Sequence, residues 1–385
     1  MHILIVPSEH FVTERIPLGG IFQFEQAKAL ARAGHRVGVI GVGFVSLRYF
    51  RGGYRYQASE QLSGVTIMRE YRKIFLPHRL YWVPIIVRKY IGLFERNYIK
   101  YVQAHGAPDV IHAHNSIFGG VISQFIKCKY GVPYVLTEHS SAFARGMVSA
   151  AMIARLQSVF SQASAVTCVS TPFSRELAQM CPVPVSVLPN MVDPLFTRGE
   201  PAKHSDDRFH WLSVASLDSN KNHELALRAF AAAFRGQAAR FTIVGDGPLR
   251  VQLAELCVAL GISEQVSFLG QLHRDAVREA MARADCLVLS SNYETFGVVL
   301  IEALACGLPV VATRCGGPDD IVRSTSGILV DVGDCEQLAD AMRQMAETYE
   351  GYSKEQLRRE ALERFGEHSF VAQAIALYES AKSNH

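Results

Sequence analysis

Short apolar runs alternate along this chain with longer stretches in which apolar positions recur three and four residues apart, and the whole alternation occurs twice. In the first half, residues 2–6 (His-Ile-Leu-Ile-Val) read as a buried strand. Residues 21–33 read as a helix with Ile21, Phe24, Ala27 and Ala31 on one face, and 35–40 as the next strand. Further strand-like runs fall at 110–113, 133–137, 165–169 and 185–188. A stretch rich in proline and polar residues follows, and 191–208 reads as a linker. A second series then runs through 211–214, 241–244, 266–269, 286–289, 310–313 and 327–330. Strands separated by helical spacing predict parallel sheets with crossover helices. The expected fold class is α/β, with two doubly wound, Rossmann-like domains facing one another across a cleft. One covers 1–190 and is joined by a C-terminal helix at 368–385; the other covers 209–367. Ligands of such sheets bind beyond the carboxyl ends of the strands, so the loops that follow the strands are where chemistry is expected.

A length of 385 residues suits two cores, and 49% apolar content without a low-complexity stretch argues against disorder. The eight cysteines form no C-x-x-C pair and mostly lie in apolar surroundings, which points to buried thiols in a reducing compartment. The first residues have too short an apolar run and no basic leader for a signal peptide. No later run approaches the ~20 apolar residues of a bilayer span. A cytoplasmic protein is expected.

The densest chemistry lies in 290–313, Ser-Ser-Asn-Tyr-Glu-Thr-Phe-Gly-Val-Val-Leu-Ile-Glu-Ala-Leu-Ala-Cys-Gly-Leu-Pro-Val-Val-Ala-Thr. A carboxylate, Glu294, falls in the loop after a strand; Gly297 follows, and then a helix whose unpaired N-terminal N–H groups can hold a phosphate. Glu302 lies one to two turns into that helix. Glu294 suits sugar hydroxyls, the amides of Phe296, Gly297 and Val298 suit a diphosphate, and Glu302 suits a ribose diol. This set of groups fits a nucleotide sugar.

Glu294 and Glu302, with seven residues between them, resemble the E-x7-E signature of retaining GT-B glycosyltransferases. The continuation 305–318, Ala-Cys-Gly-Leu-Pro-Val-Val-Ala-Thr-Arg-Cys-Gly-Gly-Pro, resembles glycosyltransferase family 4 in particular. The resemblance implies GT-B architecture and a nucleotide-sugar donor. It carries Gly19 and Gly20 to the glycine loop that approaches the donor, and Lys221 to the lysine of a G-R-L-x-x-x-K motif that neutralises the departing diphosphate. Ser216 stands where many members have an arginine on that diphosphate, so one fixed cation is missing; Arg145 and Arg314 are the candidate substitutes. The resemblance also places Gly245 near the nucleotide, Gly270 and Leu272 near the base, and His114 near the donor sugar and reacting carbon, with His112 structural. Glu138 and His139, past a strand end, either orient His114 or touch the acceptor. The implied catalytic set is His114, Glu294 and Lys221. No D-x-D pair occurs, so neither a metal nor any other cofactor is expected. Retention by attack on the face the nucleotide leaves is the implied course.

Three other readings compete with this one. A nicotinamide dehydrogenase needs G-x-G-x-x-G, and both Gly41-Val42-Gly43 and Gly245-Asp246-Gly247 lack the third glycine. A nucleotide-sugar epimerase shares the architecture. A non-catalytic nucleotide-sugar-binding protein is the reading that Ser216 favours.

Charge bears on the acceptor. The net formal charge is only +3, yet residues 46–103 hold eleven lysines and arginines against three glutamates, interleaved with tyrosine, phenylalanine and Trp82. That mixture suits an anionic lipid surface; a solvated helical face with aromatics turned inward fits equally well. The first alternative would put the enzyme on the inner face of the cell membrane, extending a lipid-linked glycan in envelope polysaccharide or lipopolysaccharide synthesis. Nucleic acid is not expected as a partner.

Overall fold

The computed structural model describes residues 1–7, 11, 19–46, 55–74, 84–143, 145–198 and 208–383. The chain divides into two compact units. The first comprises Met1–Val169, Ser174–Leu188 and Phe370–His385; the second comprises Ser170–Phe173 and Pro189–Ser369.

The first unit is built on an eight-stranded sheet: β1 (His2–Val6), β2 (Arg36–Ser46), β3 (Arg55–Leu62), β4 (Val65–Ile74), β5 (Val110–His114), β6 (Tyr134–Glu138), β7 (Ala165–Cys168) and β8 (Val185–Val187). Their order is β3-β4-β2-β1-β5-β6-β7-β8, parallel except for β3 against β4. All residues of β1, β5 and β6 are buried, which is why these strands read as mostly apolar runs; the buried polar residues His112, His114, Thr137 and Glu138 fall in β5 and β6. The helices of this unit are α1 (Ile21–Arg32), α2 (Pro84–His105), α3 (Val121–Tyr130), α4 (Ala150–Gln162) and α5 (Thr171–Ala178), whose first residues count with the second unit.

The β3–β4 hairpin departs from the sequence expectation, which had no strand between 40 and 110. Its two-residue turn is Ser63-Gly64, both at positive φ (52° and 81°), with Leu62 paired to Val65. A turn of this kind normally announces itself with Asn or Asp before the glycine, and serine hides it. The strands also mix Arg, Glu and Gln with apolar residues, so the composition stood out more than the period.

The second unit carries β9 (Phe209–Val214), β10 (Ala239–Val244), β11 (Val266–Gly270), β12 (Cys286–Leu289), β13 (Val310–Thr313) and β14 (Gly327–Val330), all parallel, in the order β11-β10-β9-β12-β13-β14. This is the doubly wound order that runs outward from a first strand in both directions, and the reversal falls between β9 and β12. Its helices are α6 (His223–Phe234), α7 (Arg250–Leu260), α8 (Arg274–Ala282), α9 (Val298–Ala305), α10 (Gly317–Ile321), α11 (Cys335–Thr348) and α12 (Lys354–Phe365). Trp211, Phe230, Phe234 and Phe241 anchor the core with Leu338, Met342 and Met345 of α11. The final helix, α13 (Glu367–Ser383), belongs to the first unit from Phe370 onward.

The stretch expected as a linker is not all tether. Val192 and Phe196 are buried in the second unit, and Asp193 caps a short 3-10 turn, Pro194–Thr197, by accepting from Leu195 N. Residues 199–207 lie outside the described residues. All eight cysteines are free thiols; most are buried, and Cys128 is exposed. Among the described residues no helix is long and apolar enough to cross a membrane.

Candidate active site

In the second unit the expected chemistry gathers where the strand order reverses. The loop after β9 brings Lys221, and the loop after β12 brings Glu294. Lys221 Nζ donates to Glu294 Oε1 at 2.6 Å, and Ser291 Oγ donates to the same oxygen at 2.7 Å. The Lys221 loop is tied by Asp218, whose Oδ1 accepts from Asn220 N and Lys221 N, while Asn220 Nδ2 donates to Tyr293 O. Ser216, at the position of the missing arginine, donates to Asp218 Oδ2 at 2.6 Å and so belongs to the loop's internal bonding. The Glu294 loop is seated from below: Glu294 N donates to Cys315 O and Gly317 N to Glu294 O. A Cβ at residue 317 would lie 2.2 Å from the Phe296 backbone, so only glycine lets the two segments lie backbone on backbone.

Past Glu294 the chain turns through Gly297 (φ 98°), the left-handed cap that opens α9. Phe296 is buried, its ring edge-on to Phe365, so what this residue can offer a ligand is its backbone amide. The N–H groups of the first turn of α9 supply a positive dipole end at the same loop that carries Glu294. Glu302, one turn further, accepts from Arg274 Nη2 at 3.0 Å, and Arg274 also pairs with Asp193. Burial pushes the Glu302 carboxyl up to about 7 despite Arg274, because the one guanidinium is shared with a second carboxylate.

In the first unit the strand order reverses between β1 and β5, and His114 ends β5. Its Nδ1 is 2.9 Å from His139 Nε2, while its Nε2 is buried without a partner among the described residues, as is His139 Nδ1. Burial holds His112, His114 and His139 well below the usual imidazole range, His112 and His139 to about 3, so all three are neutral at pH 7. The chain leaves His114 through Asn115 and Phe118, both non-glycine residues at positive φ (60° and 64°), a strained turn of the kind that persists where surroundings over-determine it. Glu138 does not touch His114. It is fully buried and accepts from Ser116 N and Oγ, His139 N and Ser140 N, so it fixes the turn and His139, and His139 in turn meets His114. His112 bonds Thr137 Oγ1 and Tyr378 OH, each at 2.7 Å, which ties α13 to β5.

The remaining candidates divide between scaffold and surface. Gly20 caps α1 in the left-handed region and Gly19 precedes it. Gly245 is required by its neighbours whatever binds nearby, since a Cβ there would meet Ala215 O at 1.9 Å. Gly270 ends β11, and Leu272 lies just beyond it, half-buried. Arg314 is half-exposed, 3.9 Å from Asp319, and Arg145 is exposed in the turn after β6. Neither is bonded into the Lys221–Glu294 cluster. Arg274, Asp193, Ser291 and Tyr378 were missed by the sequence reading. Asp193 sat in the supposed linker, and Arg274 begins a helix with no motif of its own; only the acid–base complement to Glu302 could have pointed to them. Among the described residues no group of three or more His, Cys, Asp or Glu side chains is placed to hold a metal ion.

Residues 20–195 match the family described as Glycosyltransferase Family 4, and residues 199–364 match Glycosyl transferases group 1. The chain belongs to glycosyltransferase family 4. Among family relatives, it is 29% identical over 381 residues to an uncharacterized glycosyltransferase of Methanocaldococcus jannaschii, covering 87% of this chain and 90% of that one. It is 34% identical over 170 residues to N-acetyl-alpha-D-glucosaminyl L-malate synthase of Bacillus anthracis, covering 43% of this chain and 44% of the relative. Among solved structures, sucrose-phosphate synthase of Thermosynechococcus elongatus superposes with a TM-score of 0.78 at 18% identity, over 100% of both chains. HepE of Anabaena, solved with UDP-glucose, superposes with a TM-score of 0.70 at 20% identity, over 100% of both chains. The two Rossmann-like units thus have the GT-B architecture of this family.

Proposed function

We propose that this glycosyltransferase moves a hexose-type sugar, with retention of anomeric configuration and without a metal ion, from a UDP- or GDP-sugar to a glycan or lipid-linked acceptor of the cell envelope. The observation that carries the reading is the convergence of Lys221, Glu294, Ser291 and the N-terminus of α9 at the strand reversal of one sheet, with Glu302 one turn behind. A diphosphate leaving from this place meets the Lys221 ammonium and the first-turn amides of α9, two preorganised sources of positive potential. Glu302 accepts from the ribose diol, and Glu294, already held by two donors, presents its other oxygen to sugar hydroxyls. His114, neutral and with Nε2 unpartnered, accepts from or donates to a donor-sugar hydroxyl according to its tautomer. The names of the relatives support the sugar class: one makes an N-acetylglucosaminyl product and HepE was solved with UDP-glucose.

Support for a lipid-linked acceptor comes from α2. Of the basic residues between 46 and 103, Arg69 is buried against Glu60 and Arg72 is bonded to Glu70, so neither is spare; Arg48, Arg51 and Arg79 lie outside the described residues. Arg88, Lys89, Arg96 and Lys100 are exposed on one face of α2, together with Ile85 and Ile99. Cations flanked by two exposed isoleucines suit an anionic membrane surface.

Early-time proton NMR of UDP-GlcNAc, UDP-glucose and GDP-mannose with enzyme and EDTA tests the proposal without knowledge of the acceptor, because water then takes the sugar slowly. The expected result is release of one sugar as the α-anomer before mutarotation. Release of the β-anomer contradicts retention, a requirement for added divalent metal contradicts the metal-free course, and epimerised donor without release identifies an epimerase.

A further inference from the structure

A charged, largely buried cluster whose centre the donor chemistry above does not use is the fork made by Arg274. Its Nη1 pairs with Asp193 and its Nη2 donates to Glu302 Oε1 at 3.0 Å, while the Phe196 ring lies under the guanidinium at 5.3 Å. All three charged side chains are mostly buried, at 21%, 11% and 13% exposure for Arg274, Asp193 and Glu302. The fork is itself anchored. Asp193 Oδ1 accepts from Leu195 N at 2.8 Å, and Arg274 opens α8 directly after the Gly270–Leu272 segment. Glu302 Oε1 is therefore committed to Arg274, which leaves Oε2 as the oxygen open to a further donor.

From this geometry we propose that Arg274 is a positioning residue for the nucleotide: by gripping one oxygen of Glu302 and bracing against Asp193, it turns the other oxygen toward the ribose diol and keeps it an acceptor. The inference rests on the reading of Glu302 as the ribose ligand. A carboxylate held at one oxygen by a rigid fork loses little freedom when its second oxygen takes a hydrogen bond. The charge balance adds a second role. One cation faces two carboxylates in a site where burial already favours the protonated form of Glu302. Without Arg274, Glu302 takes up its proton at still higher pH and offers the ribose a weaker acceptor. The groups facing Glu302 are Arg274 from α8 and Asp193 from the 3-10 turn; on its own helix Cys306 follows, with Arg278 and Arg358 beside it.

The test is calorimetric binding of UDP, 2′-deoxy-UDP, GDP and 2′-deoxy-GDP to the intact protein and to Arg274→Gln, Arg274→Lys and Glu302→Gln, from about pH 6 to about pH 9. In the unaltered protein, one ribonucleotide is expected to bind about tenfold or more tighter than its deoxy form, the loss typical of a hydrogen bond to a charged group. Glu302→Gln is expected to abolish most of that preference at every pH. Arg274→Gln is expected to lose it near neutral pH and regain part of it as pH rises, a displacement of the profile that a merely structural defect would not produce. Arg274→Lys keeps a cation but cannot fork, so a reduced preference with an undisplaced profile is expected; this variant carries the test if the glutamine form does not fold. An Arg274→Gln or Arg274→Lys protein with the original preference and profile overturns the positioning role alone. Equal binding of ribo and deoxy forms by the unaltered protein, or an undiminished preference for the ribonucleotide in Glu302→Gln, overturns the ribose reading and this inference with it.

Discussion

Replacing Lys221 with alanine removes the side-chain cation bonded to Glu294, at the point where the strand order reverses. In the resting protein its ammonium lies 2.6 Å from Glu294 Oε1, with side-chain exposures of 24% and 12%. Two unit charges about 4 Å apart interact by about 4 kcal/mol at an effective dielectric of about 20, which bounds what Lys221 can give a phosphate oxygen at that range. Part of this is offset, because Lys221 must share or leave Glu294 to meet the phosphate. The net falls in the range of about 2.7–4 kcal/mol measured for single oxyanion donors, or about 10²–10³ in turnover. The assay is nucleoside diphosphate release at saturating donor, with water or any accepted glycan as acceptor. Stability is expected to change by only about 1 kcal/mol, since the pair is partly exposed and Ser291 still donates to Glu294. Because the two side chains act as a unit, Lys221→Ala combined with Glu294→Gln should be far less than multiplicative. Turnover of Lys221→Ala within about threefold of the unaltered enzyme would refute the assignment of leaving-group stabilisation to this lysine.

Three further outcomes are expected. Acidification should destabilise the protein. His112, His114, His139 and His223 have folded pKa values lowered below the usual 6.5, so the unfolded chain binds more protons as pH falls below 6.5, and each group withdraws up to about 1.4 kcal/mol per pH unit; Glu302 and Glu138, whose folded values are raised by burial, work in the opposite direction but are outnumbered. A lower melting temperature at about pH 5.5 than at about pH 7.5 checks the sign, and an unchanged one contradicts it. Gly317→Ala should cost about 3 kcal/mol or more, because its Cβ would meet the Phe296 backbone at 2.2 Å and displace the Glu294 loop; urea unfolding reads the loss, and donor binding should fall with it. Replacing Arg88, Lys89, Arg96 and Lys100 of α2 together with glutamine should abolish sedimentation with anionic vesicles at physiological salt and leave nucleotide binding intact. Vesicle binding that survives the change removes the support for a membrane-surface acceptor.

The donor half of the molecule was legible in the sequence for a physical reason. Fully buried parallel strands such as β12 and β13 are predominantly apolar, and the loop from Ser290 to Gly297 combines a glycine cap with a carboxylate, so both fold and chemistry leave marks at short range. Lys221 was legible through its resemblance to the lysine of the G-R-L-x-x-x-K motif, at a place just after a strand. What the sequence hid depends on distant partners. Asp193 and Arg274 are 81 residues apart and meet only in the fold. The sequence left Glu138 between orienting His114 and touching the acceptor, because nothing local shows that its oxygens accept from Ser116, His139 and Ser140. The β3–β4 hairpin was lost to a serine in its turn. The basic region from 46 to 103 looked like one patch because its three glutamates were only counted against eleven cations, when two of them, Glu60 and Glu70, pair with Arg69 and Arg72.

The central claim is that the second unit binds a nucleotide sugar at the β9–β12 reversal. Calorimetric titration with UDP, GDP, ADP and their common sugar conjugates, in EDTA, tests it most directly. One nucleoside diphosphate family is expected to bind one-to-one, with a dissociation constant between about 1 μM and about 1 mM, and to lose most of its affinity in Glu302→Ala. No binding by any of them, or binding undiminished by Glu302→Ala, would contradict the account.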